Sequence, residues 1–416
     1  MRPIVVCLIR PADLSGRLGG GLRRFVEVAS RIHTEQVKYV IIESEPFLKS
    51  FPYFTRIRDV AANHTILGVH MPWHACMNRR VLGWILFWLN IAVVAFIEVK
   101  VVRATQASLV LAPGETVPEV LASWASSRVT RRRGAVVVQS DPFLSLGHHK
   151  ASDLKSYYAA YRDLYNPVVA FLEALTARLF VRAMNEMWLL VLGRSLLKLL
   201  ATRGIAGVTT RQIINGVDLK KVAGTRPSQA VYDVIFAGRI DPSKGAMEFL
   251  HAWTESRENR DKYRVALVGP VQERLRVQLK DFAVSHKDCM DYLGAMSDVS
   301  VIGLLKSSRV LILPSLFEGF PLVVAEALAS GIPVVCYDSP WIREFFPTPA
   351  VCVVPRGDLE ALVKEVKELL EDEKERLRLS REGMTFVSKY NWADIAAGEA
   401  QIYRDFAAES HEPEGR

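Results

Sequence analysis

Residues 314–335 set a glycine–proline turn between an apolar strand and an apolar helix. The stretch reads PSLFEGFPLVVAEALASGIPVV, and Gly331 ends its Ala/Leu/Val-rich part as a candidate helix cap. Glu318 lies in the turn, and Glu326 lies about two helical turns further along. A carboxylate that lies between the end of a strand and the start of the next helix is at the edge of the sheet where open α/β folds bind ligands. We therefore predict a ligand site around these two glutamates; the alternative is an ordinary crossover with two solvated acids.

Strand-like and helix-like runs alternate through both halves of the 416-residue chain. This alternation predicts an α/β fold of two doubly wound domains, with ligands bound between them at the carboxyl ends of the strands. We place the first domain at 1–207 and the second at 208–390, followed by a helix at 391–410 that packs back toward the first. The strand-like runs include IVVCLI, VKYVIIES, TILGVH, ASLVLAP and GAVVVQSDP, then VYDVIFAG, YRVALVGP, VLILP, IPVVCYD and AVCVVP.

The five cysteines are scattered and form no CxxC pair or Cys/His cluster. We therefore expect reduced thiols in a cytoplasmic protein, and no zinc site. The first apolar run, RPIVVCLI, is short and is soon followed by polar, glycine-rich sequence, which is not typical of a signal peptide.

Charge is unevenly shared between the two halves. Residues 1–207 hold 26 Lys and Arg against 14 Asp and Glu, whereas residues 208–416 hold 27 against 31. A basic half attracts nucleic acid, anionic lipid or a phosphorylated acceptor. No helix-turn-helix or RNP-like motif is present, so we expect no nucleic-acid partner.

The segment 81–97 is apolar except for Asn90. If the strand-like runs before and after it lie in one sheet, a single membrane crossing would separate them, so we expect a crossover helix. A crossover helix needs only one apolar face, so the second apolar face of this helix must pack against another surface. Interfacial contact with a membrane, a buried core or dimer contact, and a true membrane span all stay open. Arg79, Arg80 and the three arginines at 131–133 suit anionic lipid.

Two features of the first half are candidates for the acceptor side. Gly19 and Gly20 precede an amphipathic helix, where the backbone can approach a phosphate or an acceptor, or form a plain turn. His148 and His149 fall in a loop-like stretch and are candidate ligands or bases, the alternative being solvated surface histidines.

Basic side chains follow another strand of the second half. Arg239 and Lys244 lie after VYDVIFAG, and in one sheet this strand end shares an edge with Glu318 and Glu326. Guanidinium and ammonium groups bind a diphosphate, whereas carboxylates bind hydroxyls. A nucleotide sugar, with its diphosphate between two polyol groups, meets both needs. The alternative is a set of surface ion pairs.

These motifs resemble the family-4 (group 1) glycosyltransferases. The matching stretches are FAGRIDPSKG, INGVD, the block at 314–335, the C-terminal YNWADIAAGEAQIY and, less specifically, GGGLRRFVEVASRI. The resemblance spans most of the chain and implies the GT-B fold, two Rossmann-like doubly wound domains facing a central cleft. It also implies a retaining transfer of a sugar from a donor such as a UDP- or GDP-sugar, without a metal or other cofactor.

The resemblance assigns roles to individual residues. Glu318 contacts the donor sugar, Glu326 the ribose, and Arg239 and Lys244 stabilise the leaving diphosphate. Where many members carry a histidine after the fourth strand, this chain has Ser140. The predicted catalytic residues are thus Glu318, Arg239 and Lys244; the predicted donor-binding residues are Gly319, Phe320, Pro321, Leu322 and Glu326; and Glu344 matches a further family position.

We predict a retaining glycosyltransferase that works at the cytosolic membrane face on a lipid-linked or glycan acceptor. Three alternatives stay open. They are a soluble polysaccharide or small-molecule glycosyltransferase, a catalytically silent GT-B module that binds nucleotide sugars, and a GT-B epimerase or phosphorylase.

Overall fold

The chain folds into two compact units. A computed structural model describes residues 4–9, 20–33, 35–44, 60, 63–69, 81–139, 167–316 and 318–409. The first unit is Met1–Ile214 together with Trp392–Arg416, and the second is Asn215–Asn391.

The first unit is built on a parallel sheet of seven described strands in the order β3-β2-β1-β4-β5-β6-β7. The order runs outward in both directions from β1 and β4, as in doubly wound folds. The strands are β1 (Ile4–Ile9), β2 (Lys38–Ser44), β3 (Thr65–Val69), β4 (Leu109–Ala112), β5 (Arg133–Val138), β6 (Trp188–Leu192) and β7 (Thr210–Ile213). The helices between them are α1 (Gly20–Ala29), α2 (Val81–Thr105), α3 (Val117–Thr130), α4 (Pro167–Glu186) and α5 (Gly193–Thr202).

The predicted domain boundary at 207/208 falls inside this unit. β7 follows that boundary and pairs with β6, with Leu189 opposite Thr210 and Leu192 opposite Ile213. The sequence TRQI shows almost no apolar pattern, and two of its four side chains are exposed. Pairing with the fully buried β6, rather than burial of its own side chains, makes it a strand.

The apolar segment 81–97 lies in α2, which connects β3 to β4 within one sheet, as the crossover prediction requires. The helix packs against α3 and β1. Among the described residues, no helix combines the length and the hydropathy that a membrane span needs.

The second unit carries a parallel sheet of six described strands in the order β10-β9-β8-β11-β12-β13. All these strands are parallel, and the direction in which successive strands are added to the sheet reverses between the neighbours β8 and β11. The strands are β8 (Tyr232–Ala237), β9 (Val265–Val268), β10 (Met290–Gly294), β11 (Ser308–Leu313), β12 (Val334–Tyr337) and β13 (Val351–Val354).

Nine helices and two 3-10 turns accompany the second sheet in its described residues. The helices are α6 (Leu219–Gly224), α7 (Ala246–Glu255), α8 (Arg257–Lys262), α9 (Arg276–Ser285), α10 (Asp298–Lys306), α11 (Leu322–Ala329), α12 (Pro340–Phe345), α13 (Leu359–Glu371) and α14 (Glu373–Val387). The 3-10 turns are Pro242–Lys244 and Glu273–Leu275. Ser297, Ser339 and Asp358 start α10, α12 and α13 by accepting a backbone N–H of the first turn.

The chain returns to the first unit through its last helix, α15 (Trp392–Glu409), which packs against α1 and β7. The buried Arg24 guanidinium of α1 donates to both carboxyl oxygens of Glu399. The Tyr403 hydroxyl donates to the same carboxylate at 2.6 Å. This buried cluster joins the two ends of the first unit.

Candidate active site

Two loops of the second unit meet where its strand order reverses. One follows β8 and the other follows β11, and these strands are parallel neighbours. The Lys244 Nζ donates to Glu318 Oε1 at 2.6 Å, and both side chains are largely buried, with 16% and 15% exposed. The carboxyl end of an open α/β sheet at its switch point is where such folds bind ligands. The structure thus brings together two of the predicted catalytic residues.

Lys244 is held by a tight turn. The Asp241 carboxylate caps the turn Pro242–Lys244 by accepting the Ser243 N–H at 2.9 Å. Gly245 then takes a left-handed conformation with φ +66°, and a Cβ added there would lie 2.3 Å from the Pro314 carbonyl oxygen. Lys244 therefore lies in this turn and precedes α7. Only glycine at position 245 allows the close approach to Pro314.

The loop after β11 is pinned through the backbone of Leu316. Its N–H donates to the Ser243 carbonyl at 2.9 Å, and its carbonyl accepts a hydrogen bond from the Arg356 guanidinium at 2.7 Å. Arg356 follows β13, two strands away from β11. Sequence reasoning missed Arg356, because a bond to a backbone carbonyl 40 residues away leaves no motif.

Glycines bring the backbone close together at the ends of β8 and β9. Gly269 has φ +135°, and a Cβ there would lie 1.9 Å from the Gly238 carbonyl oxygen. The Gly269 N–H donates to the Gly294 carbonyl at the end of β10, and the Tyr292 hydroxyl donates to the Gly269 carbonyl. Backbone atoms therefore meet at close range where β8, β9 and β10 end.

Phe320 anchors the entry to α11. Its ring is buried, with ring centroids 5.0 Å from those of Phe345 and Phe346 and 5.7 Å from that of Tyr390. Burial, with a smaller effect of the Glu344 charge, raises the pKa of Tyr390 to about 12, and its hydroxyl donates to the Phe345 carbonyl. The Phe320 side chain therefore packs in the core and leaves its backbone for any donor contact.

The other predicted residues of the second unit lie near the same sheet edge. Arg239 follows β8 with its side chain 72% exposed, and its guanidinium lies 3.7 Å from the Asp241 carboxylate. Glu326 is buried within α11. Gly319 and Leu322 are partly buried and Pro321 is buried, with Pro321 preceding the first residue of α11. Glu344 lies partly buried in α12.

The acceptor-side predictions concern the first unit. Gly20 is the first residue of α1. Gly19, Ser140, His148 and His149 lie outside the described residues.

The arrangement combines opposite charges in one place. Lys244 supplies an ammonium with three donors, and Glu318 supplies a carboxylate that accepts hydroxyls. Arg239 adds an exposed cation at the end of the same strand as Lys244. In the part of the chain that the structure describes, no three His, Cys, Asp or Glu side chains converge as a metal site would require.

Known proteins resemble this chain in sequence and in fold. The family model for glycosyl transferases group 1 matches residues 223–385. The phosphatidyl-myo-inositol mannosyltransferase of Mycobacterium leprae is 28% identical over 264 residues, which cover 60% of this chain and 70% of that protein. The GDP-mannose:cellobiosyl-diphosphopolyprenol alpha-mannosyltransferase of Xanthomonas oryzae pv. oryzae is 23% identical over 206 residues, covering 48% and 54%.

The whole chain is similar in fold to a solved structure. The sucrose-phosphate synthase from Thermosynechococcus elongatus superposes with a TM-score of 0.73 at 16% identity, covering 98% of this chain and 100% of that one. The two parallel sheets of this chain, with their flanking helices, agree with this likeness. Residues 223–385 therefore match the group 1 glycosyl transferases, and the chain has the two-domain α/β architecture of the GT-B fold.

Proposed function

We propose that this glycosyltransferase moves a sugar from a nucleoside-diphosphate sugar to a lipid-linked or glycan acceptor, with retention at the anomeric carbon. The observation that carries the proposal is the contact between Lys244 and Glu318 at the switch point of the second sheet. A cation and a carboxylate held 2.6 Å apart suit a ligand that carries a diphosphate beside sugar hydroxyls. The names of the two mannosyltransferase relatives, one with a phospholipid and one with GDP-mannose and a diphosphopolyprenol, support the same classes of donor and acceptor.

Each charged group has a distinct task in this proposal. One N–H of the Lys244 ammonium keeps its hydrogen bond to Glu318, and another of the three donates to the leaving diphosphate. Negative charge grows on this diphosphate as the glycosidic bond breaks. Arg239 is exposed and swings from Asp241 to the same diphosphate. Glu318 then accepts hydrogen bonds from the sugar, with the backbone of Gly319 and Phe320 beside it, and Glu326 takes the ribose diol.

We propose that the transfer needs no divalent metal, because Lys244 and Arg239 supply the positive charge that a metal would otherwise bring to the diphosphate. Turnover measured with and without EDTA tests this. Equal rates support the proposal, and loss of turnover that Mg²⁺ or Mn²⁺ restores contradicts it.

The donor and the role of Glu318 are tested together. A thermal-shift screen with UDP-, GDP- and ADP-sugars identifies the donor, and turnover is then compared for the parent, Glu318→Gln and the control Glu360→Gln, an exposed glutamate of α13. We expect Glu318→Gln to lower kcat by about 10²–10³-fold while nucleotide affinity changes little, because an interaction made in the transition state is lost. Full turnover in Glu318→Gln contradicts the assignment.

Retention is tested on the product. The anomeric configuration of the transferred sugar, read from proton NMR coupling, is compared with that of the donor. A product of opposite configuration contradicts the retaining proposal. Because nucleotide sugars are cytoplasmic metabolites, we propose that the enzyme works on the cytosolic side of the membrane that holds its acceptor.

A further inference from the structure

The first unit exposes two apolar stripes on adjacent helices. Both α2 and α4 pack against α3 and against each other. Isolated apolar side chains on a surface are normal, but a contiguous set marks a binding surface. The apolar patch consists of six side chains that are between 38% and 59% exposed, Leu89, Val93 and Phe96 on α2 and Val168, Phe171 and Leu175 on α4.

The two helices that carry the stripes run in the same direction across the sheet. α2 leads from β3 to β4 and α4 leads from β5 to β6, all within one parallel sheet. Both helices therefore run against the strands and begin at the carboxyl edge of the sheet. The patch occupies the middle of α2 and the N-terminal half of α4, so on α4 it reaches toward the edge at which such sheets bind ligands.

Basic side chains continue the same faces toward the other end. The Lys100 ammonium lies 4.5 Å from the centroid of the Phe96 ring, so this lysine adjoins the patch directly. Among the described side chains of α2 and α4, no Asp or Glu is exposed. The basic band consists of the exposed Lys100 and Arg103 on α2 and Arg178 on α4, together with Arg131 and Arg132, which directly follow the neighbouring helix α3.

We propose that the apolar patch and the basic band dock together on an anionic lipid bilayer. Apolar side chains on surface helices insert at the boundary of headgroups and acyl chains, while neighbouring lysines and arginines contact anionic lipid phosphates. A second copy of the chain fits less well, because an interface between copies would have to desolvate the charges of Lys100, Arg103 and Arg178. The link to catalysis rests on the proposed function: docking this side brings the carboxyl edge of the first sheet to a lipid-linked acceptor.

Vesicle flotation without donor tests the surface directly. The parent protein is mixed with vesicles of phosphatidylcholine alone, or of phosphatidylcholine and phosphatidylglycerol in equal parts. We expect flotation with the anionic vesicles only, weakened by high salt. A triple variant Leu89→Ser, Phe96→Ser and Phe171→Ser removes three of the six apolar side chains of the patch, and a second variant, Lys100→Gln, Arg103→Gln and Arg178→Gln, removes three of the five charges of the band. We expect both to lose flotation, the second by about fivefold in affinity for each charge removed.

The matched controls lie on a helix of the second unit. α9 exposes Val277 and Val284 with Lys280 between them. The variants Val277→Ser with Val284→Ser, and Lys280→Gln, should float like the parent. Circular dichroism melting confirms that each variant is folded.

Three results would overturn the proposal: a parent protein that does not float, a patch variant that floats like its control, or light scattering showing a dimer that the patch variant makes monomeric while vesicles bind nothing. Donor binding, measured separately by thermal shift, distinguishes failure of the docking proposal from failure of the proposed function. A protein that binds donor but no vesicle refutes the docking surface alone, and one that floats but turns over no donor refutes the proposed function alone.

Discussion

At the scale of single residues, Gly245 determines where Lys244 lies. Its φ of +66° and the carbonyl of Pro314, 2.3 Å from where a Cβ would lie, leave no room for alanine. We expect Gly245→Ala to lower the free energy of unfolding of the second unit by about 2–3 kcal/mol and to lower donor turnover, because the turn must shift away from Glu318. The control is Gly224→Ala in α6, where a Cβ would meet nothing within 4 Å. Equal free energies of unfolding in urea for Gly245→Ala and Gly224→Ala would contradict this account.

The buried Glu98 of α2 makes stability depend on pH. Burial raises its pKa to about 8, and the Ser123 hydroxyl donates to it at 3.1 Å. The pKa of Glu98 in the folded protein lies above its ordinary value of 4.5, so its stabilising effect is complete below about pH 4.5 and is lost as the pH rises through 8. We expect the free energy of unfolding to fall across this window by up to ~1.4 kcal/mol per pH unit.

Urea unfolding at several pH values between 5 and 8 measures this effect. Glu98→Gln should flatten the dependence. The control Glu186→Gln should not, because hydrogen bonds from Arg182 and Trp124 lower the pKa of Glu186 to about 2, outside the window. An unchanged slope in Glu98→Gln would show that another group titrates.

At the scale of secondary-structure elements, the loop after β11 depends on a neighbour two strands away. Arg356 bonds the Leu316 carbonyl, two residues before Glu318. We expect Arg356→Ala to lower kcat about tenfold with little change in melting temperature, since the arginine is exposed and its effect acts through the position of the loop. Arg356→Lys should restore part of the rate, because it keeps a donor but not the planar fork.

The control for Arg356 lies at the other end of β11. Arg309 is a half-exposed arginine that pairs with Asp233 at 2.9 Å. Arg309→Ala should leave kcat unchanged. A kcat for Arg356→Ala that matches the Arg309→Ala value would remove Arg356 from the site.

The sequence predicts those elements whose burial requires apolar residues. The apolar runs of β5 and β11, and the turn between β11 and α11 that carries Glu318, are visible in the sequence because parallel strands are apolar on both faces. β7 was not predicted, since its TRQI sequence becomes a strand only by pairing with β6. The hydrogen bond from Arg356 and the left-handed Gly245 were also not predicted, because both depend on residues far away in the chain.

At the scale of the whole molecule, the first unit is completed only by the end of the chain. The chain leaves this unit at Ile214 and returns at Trp392. Arg24 on α1 and Glu399 on α15 form a buried ion pair, and burial together with the Glu399 charge raises the pKa of the Tyr403 hydroxyl that bonds it. The desolvation of two buried charges offsets most of their attraction, so the pair adds little net stability. Losing one partner is nevertheless costly, and the pair therefore fixes the position of α15.

We therefore expect Glu399→Ala to destabilise the first unit by about 3–5 kcal/mol, because it leaves the Arg24 charge buried and unpaired. The double variant Arg24→Met with Glu399→Leu should recover most of this loss, since no buried charge remains. Hydrogen exchange of β5 and β6, compared with that of β11, assigns the effect to the first unit. The control is Glu409→Ala on the same helix as Glu399, which breaks the half-exposed pair with Arg133 of β5 and should cost less than about 1 kcal/mol. If the double variant is as unstable as Glu399→Ala, loss of packing rather than the unpaired charge is the cause.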